Sequence, residues 1–205
     1  MKSVVVCPVL DGNLYRRLYD SADMGPSALF QPIVDHKSVA GAWNRGRSTV
    51  LSGPYEYLTL ISEAVVFGEQ GGADWLRALD GGEECVNSTL GWKLVAIRRD
   101  VLDKVGPFDE QFVPAYWEDT DYLYRMHLAG FASPRENDRP GFVWWDIDAT
   151  VPEGDGHALQ AGTVVNMGLC AARYEAKWGG AQGSETFHHP YGDISRKWDD
   201  VRGAP

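Results

Sequence analysis

Apolar residues gather in short runs set off by turn formers, and these runs alternate with stretches of helical period. Val4-Val5-Val6-Cys7-Pro8-Val9 is apolar throughout and closed by Asp11-Gly12, the pattern of a central strand buried on both faces. Asn13 is placed to cap a brief helix through Tyr19, broken at Met24-Gly25-Pro26-Ser27. Residues 28–34 predict a second strand ending at Asp35. Ser38 or Asp35 then caps a helix carrying Val39, Ala42 and Trp43 and closing at Asn44 to Gly46. After the Gly53-Pro54 turn, residues 55–67 read as extended, with an interruption at Ser62-Glu63.

Farther on, residues 73–79 predict a short helix, 94–97 a strand, and 100–105 a short helix stopped by Gly106-Pro107. Residues 119–128 give the clearest helix, with Tyr122, Leu123, Met126 and Ala129 on one side. Residues 142–147 predict another strand and 164–177 a final helix ending at Trp178-Gly179-Gly180. Strands alternating with helices predict an α/β fold, a mostly parallel central sheet flanked by helices. Such sheets hold ligands beyond the carboxyl ends of their strands. Residues 1–182 are read as one compact domain. Residues 183–205, rich in aromatics, histidine and proline, form a tail packed on it or on a partner.

Composition narrows the function classes. A net charge of −10 argues against nucleic-acid and anionic-membrane binding, which need dense Lys and Arg. No apolar run approaches the roughly 20 residues of a spanning helix, so no transmembrane segment is expected. The first apolar run lacks the length and cleavage pattern of a signal peptide. Three cysteines, Cys7, Cys85 and Cys170, cannot all pair within the chain and fit no zinc spacing. They read as free thiols of a reducing, cytoplasmic protein. A homo-oligomer stays open.

The chemistry concentrates between Val105 and Gly130, where acids and aromatics interleave at a helix start: Tyr116-Trp117-Glu118-Asp119-Thr120-Asp121. A carboxylate there sits on a rigid element with flat faces beside it. Asp119 has the chemistry of a general base and equally the position of a helix N-cap. Glu118 is either a ligand-binding acid or a solvent-facing one, and Tyr116 and Trp117 either hold a ligand on their flat faces or pack in the core. Asp121 reads as structural, a partner for Arg98, Arg99 or Arg125, and Asp109 as ordering the loop after Gly106-Pro107.

The stretch Gly91-Trp92-Lys93-Leu94-Val95-Ala96-Ile97-Arg98-Arg99 resembles glycosyltransferase family 2, the inverting enzymes of the GT-A fold. The likeness continues through Val105-Gly106-Pro107-Phe108-Asp109-Glu110 to Glu118-Asp119-Thr120-Asp121, Arg125 and Ala129-Gly130. Tyr174-Glu175-Ala176-Lys177-Trp178-Gly179-Gly180 is similar to a tail of rhamnosyltransferase-like members. The resemblance implies a nucleotide-sugar donor, a saccharide or other hydroxyl acceptor, and single displacement with Asp119 as base. It implies acceptor contacts at Glu118, Trp117 and Tyr116, and donor contacts at Pro8, Val9, Asp35, Asn44, Glu63 and Arg98.

This chain departs from the family in two places. Its N-terminal part is abbreviated, and where the family carries an Asp-x-Asp-like motif for Mn²⁺ or Mg²⁺, the chain reads Ser62-Glu63-Ala64. Glu63 is the carboxylate left for the metal, with His157 the nearest stand-in for the family's late histidine. A noncatalytic carbohydrate- or nucleotide-binding protein, or a structural protein, on a degenerate scaffold stays open beside the enzyme.

Overall fold

The computed structural model describes residues 2–137, 143–145 and 156–205, with backbone only for 143–145 and 156–164. Strand β1 (Ser3–Pro8) lies between β2 (Ala28–Ile33) and β3 (Tyr57–Ile61), parallel to both. Beyond β3 the direction reverses: β6 (Gly91–Arg98) runs antiparallel to β3 and to β5 (Cys85–Ser88), and β7 (Arg135–Asn137) lies parallel to β5. The six-stranded order is β2-β1-β3-β6-β5-β7, with β6 the one reversed strand, so the sheet is mostly parallel, as expected, with an antiparallel strand inside it. A two-stranded ribbon pairs β4 (Val65–Phe67) with β8 (Val143–Trp145).

The all-apolar first run follows from burial on both faces. Val4 and Val6 face a core built with α2 (Val39–Ser52), α4 (Arg99–Val105) and α5 (Glu118–Leu128). Val5 and Cys7 face a second core, with Leu18 of α1 (Gly12–Ala22) and Trp75 of α3 (Gly71–Leu79). Burial also pushes the Cys7 thiol up, with the Glu63 charge adding to the effect.

Several boundaries differ from the sequence expectation. Asp11, not Asn13, caps α1, its side chain accepting from the Asn13 and Leu14 amides. Ser38 does cap α2, accepting from the Gly41 amide at 3.0 Å. That helix runs through Gly46 to Ser52, because Gly46 is an approach point rather than a stop. A Cβ on Gly46 would lie 2.1 Å from Val6 Cγ2 and 2.8 Å from Leu58 Cδ1. Strand β5 was not foreseen. The last helix, α6 (Gly156–Trp178), begins earlier than its pattern suggested.

Helix α6 is tied to α5 by buried charges. Lys177 Nζ sits 2.7 Å from Asp121 Oδ1 and 2.8 Å from Asp109 Oδ2, and Arg125 Nε lies 2.9 Å from Asp121 Oδ2. Trp178 Nε1 donates to Asp121 Oδ1 at 2.8 Å. Burial alone would raise the Asp121 carboxyl, but Lys177 and Arg125 hold it below the usual range. Of the partners foreseen for Asp121, only Arg125 is used. The segment after α6 lies on the body: Tyr124 donates to the Phe187 carbonyl at 2.9 Å, and Trp198 packs against the first core.

Candidate active site

The parallel strands β1 and β3 end at Pro8 and Ile61, and antiparallel pairing brings the beginning of β6 to the same edge, with Ile61 opposite Leu94. A cleft of about 550 Å³ opens there. It is lined by Pro8, Leu10, Ser62 and Glu63 at and just beyond the strand ends. Trp43 of α2 and Trp92 of β6, with ring centroids 6.0 Å apart, add apolar surface to its lining. Tyr116 just before α5, Glu118 and Asp119 at its start, and Lys93 and His36 line it as well.

The approach to α5 explains how these acids reach the cleft. Tyr116 and Trp117 are consecutive non-glycine residues with φ of 80° and 73°. The left-handed backbone costs an L-residue about 1–2 kcal/mol, and such strain gathers at functional sites. This turn sends Tyr116 into the cleft and Trp117 the other way, onto Tyr174 of α6 with centroids 5.1 Å apart. Two further bonds hold the entry. Asn166 Nδ2 of α6 donates to the Ala115 carbonyl at 2.7 Å, and the Val39 amide donates to the Pro114 carbonyl at 2.9 Å.

Asp119 is not the N-cap of its helix. Trp117 occupies that position without a side-chain bond, and Asp119 is the second helical residue. Its Oδ1 accepts from the Thr120 amide at 2.7 Å and from the Thr120 hydroxyl at 3.3 Å. Burial raises the Asp119 carboxyl, while the Thr120 bonds and the Lys93 charge pull the other way. Glu118 is more deeply set, only 5% exposed, and its Oε2 has no hydrogen-bond partner among the described residues. Burial, with the Asp119 charge beside it, pushes Glu118 up to about 8. Lys93 is pushed down by burial and up by Asp119.

Of the residues singled out in the sequence, the cleft gathers Pro8, Glu63, Tyr116, Glu118 and Asp119. Asp35 and Asn44 line an adjoining polar hollow of about 450 Å³, which shares His36 with the cleft. Asn44 is engaged there, accepting from the Phe108 amide at 2.8 Å and donating to the Phe108 carbonyl at 3.0 Å. Val9 is buried, its amide donating to the Ile33 carbonyl. Trp117 belongs to the α6 side. Arg98 is at the opposite edge of the sheet, because register pairs it with Tyr57 at the beginning of β3. There it chelates Asp100 at 2.6 and 2.7 Å. The side chain of His157 lies outside the described residues.

Among the cleft residues to which sequence reasoning gave no site role are His36, Trp43, Trp92 and Lys93. Both ring nitrogens of His36 are buried without a partner among the described residues. The sequence signals were Trp43 on a predicted helix and Trp92-Lys93 just ahead of the strand predicted over 94–97.

The metal expectation meets a poor donor set. Glu63 Oε2 already accepts from the Leu10 amide at 2.7 Å and the Asp11 amide at 3.0 Å. Among the described residues no three His, Cys, Asp or Glu side chains gather to hold an ion. Hard divalent cations want several oxygen ligands, and Glu63 offers one a carboxylate that two amides already engage.

Comparison with solved structures decides the fold. The chain is similar to the catalytic domain of Drosophila β1,4-galactosyltransferase 7 in complex with xylobiose, with a TM-score of 0.54, 12% identity, and 69% of each chain covered. It is also similar to a mannosyltransferase from Pyrobaculum calidifontis in complex with GDP-Man and Mn²⁺, with a TM-score of 0.55 and 13% identity over 84% of this chain and 63% of that one. The fold is GT-A-like. A protein from STIV shares it at a TM-score of 0.50 and 17% identity, over 72% of this chain and 87% of that one. No family model and no curated protein matches the chain. Among the described residues no helix is long and apolar enough to cross a membrane.

Proposed function

We propose that the chain is an inverting glycosyltransferase that moves a sugar from a nucleotide-diphospho-sugar to a hydroxyl acceptor. The observation that carries this reading is the position of Asp119 in the wall of a sugar-sized cleft at the carboxyl ends of β1 and β3, on a GT-A-like fold. Asp119 takes the acceptor's proton as its oxygen attacks the anomeric carbon. The bond to the leaving diphosphate breaks in the same step and the centre inverts. Burial raises the basicity of the carboxylate, and the Thr120 bonds fix its orientation. Tyr116, Trp43 and Trp92 offer the flat apolar faces on which sugar rings stack. Lys93 is the cation of the cleft and sets positive charge beside the reacting groups. No step is assigned to a metal.

Calorimetry with UDP-, GDP- and dTDP-sugars identifies the donor, and turnover with Asp119→Asn tests the base. Losing a general base lowers turnover about 10²–10⁴-fold, with donor affinity kept. Undiminished transfer by that variant overturns the assignment. The engaged Glu63 favours a second reading, a noncatalytic nucleotide- or carbohydrate-binding protein on the same scaffold. Donor binding without turnover by the wild-type chain supports that one.

A further inference from the structure

Glu118 and Asp119 are chain neighbours in the same cleft wall, yet their surroundings differ. Asp119 feels the Lys93 ammonium from β6 and two donors on Thr120. Glu118 is buried, with Oε2 unpartnered among the described residues; the Asp119 charge beside it, of its own sign, raises it further, and the Glu118 and Tyr116 amides only partly offset the two. On the α6 side the ionisable group near it is the Cys170 thiol, which burial raises, Arg173 lowers and Glu118 raises further. Glu63 and His36 stand on other walls of the cleft. An ionised carboxylate in such a place carries a large desolvation cost, whereas a neutral carboxyl carries a smaller one and gains a donor.

We propose that Glu118 works as an uncharged acid whose O–H donates to a second acceptor oxygen, beside the hydroxyl that Asp119 deprotonates, so that the site selects a vicinal diol of a saccharide or polyol. The proposal rests on the reading of Asp119 as base and deepens it by naming the acceptor class. Two neighbouring carboxyls whose surroundings push them apart in acidity divide the labour, one accepting a proton and one offering it. A lone alcohol satisfies Asp119 but leaves the Glu118 proton without an acceptor. A diol satisfies both, and an unmade buried hydrogen bond is what discriminates strongly between substrates.

The test has two arms on the full chain. Infrared difference spectra over pH 5–10 compare wild type with Glu118→Gln and Asp119→Asn, each first checked for folding by circular dichroism. A protonated-carboxyl band present at pH 7, titrating near 8, absent from Glu118→Gln and titrating lower in Asp119→Asn is the expected result. Its absence from the wild type at pH 7, or its survival in Glu118→Gln, overturns the proposal whether or not transfer occurs.

The second arm offers methyl glycosides and their monodeoxy counterparts as acceptors for the calorimetrically identified donor. Wild type prefers the diol by about tenfold or more in kcat/KM, Glu118→Ala loses the preference, and Glu118→Gln, which keeps an N–H donor, retains part of it. Equal use of both acceptors by the wild type overturns the diol assignment. A silent panel with the band in place counts against sugar transfer and leaves the neutral Glu118 standing.

Discussion

Lys177 on the last turn of α6 bridges Asp109 and Asp121 from 2.8 and 2.7 Å, with all three side chains almost wholly shielded from water. Asp121 lies on the same helix as Asp119, so this contact holds the helix that presents the candidate base. Replacing Lys177 with Met leaves Asp121 with Arg125 and takes from buried Asp109 the cation it pairs with. Breaking such a pair costs about 3–5 kcal/mol. Urea denaturation checks the expected fall in midpoint.

Gly46 tests the seating of α2. An added methyl meets Val6 and Leu58 in the floor of the sheet, contacts that backbone-borne side chains do not readily yield. Overpacking of this kind destabilises by about 1–3 kcal/mol, so Gly46→Ala lowers the melting temperature. On an exposed helix face the same change would stabilise.

Glu118 gives the chain a pH-dependent stability of definite sign. Its folded carboxyl is raised from an ordinary 4.5 to about 8, so the folded state keeps a proton that the unfolded chain releases. The stability tied to that proton is fully present below 4.5 and is lost as pH rises to about 8. Glu118→Gln removes the loss. Its advantage over wild type in thermal unfolding therefore grows between pH 5 and 9, reaching about 2–5 kcal/mol. A constant difference across that range contradicts the prediction.

Glu63 acts on the turn after β1. With its Oε2 accepting two amides, Glu63→Ala leaves Leu10 and Asp11 without those bonds and lowers stability by about 1–3 kcal/mol. Hydrogen exchange reads it directly: both amides lose protection in Glu63→Ala and keep most of it in Glu63→Gln.

How much of this was legible in the sequence varied with the physics involved. The strands β1 and β3 and the helix α5 were readable because burial on two faces, or on one stripe, leaves a local pattern, and the edge strand β2 because turn formers bracket it. The site was legible at Glu118-Asp119, where the chemistry lies within one turn of chain. It was not legible at Arg98, expected at the donor, or at its neighbour Arg99. The register of β6 carries them to the far edge, where Arg99 donates to the Val50 and Gly53 carbonyls at 2.6 Å, closing the end of α2. Gly46 was misread because a helix stop and a close approach demand the same missing Cβ. His36 meets the cleft only through chain folding, and no local pattern marks it.

The left-handed pair Tyr116-Trp117 joins the cleft to the C-terminal helix: one ring lines the first, and its neighbour rests on Tyr174 of the second. Trimming the chain behind that helix would therefore blur the cleft without deleting a single one of its walls.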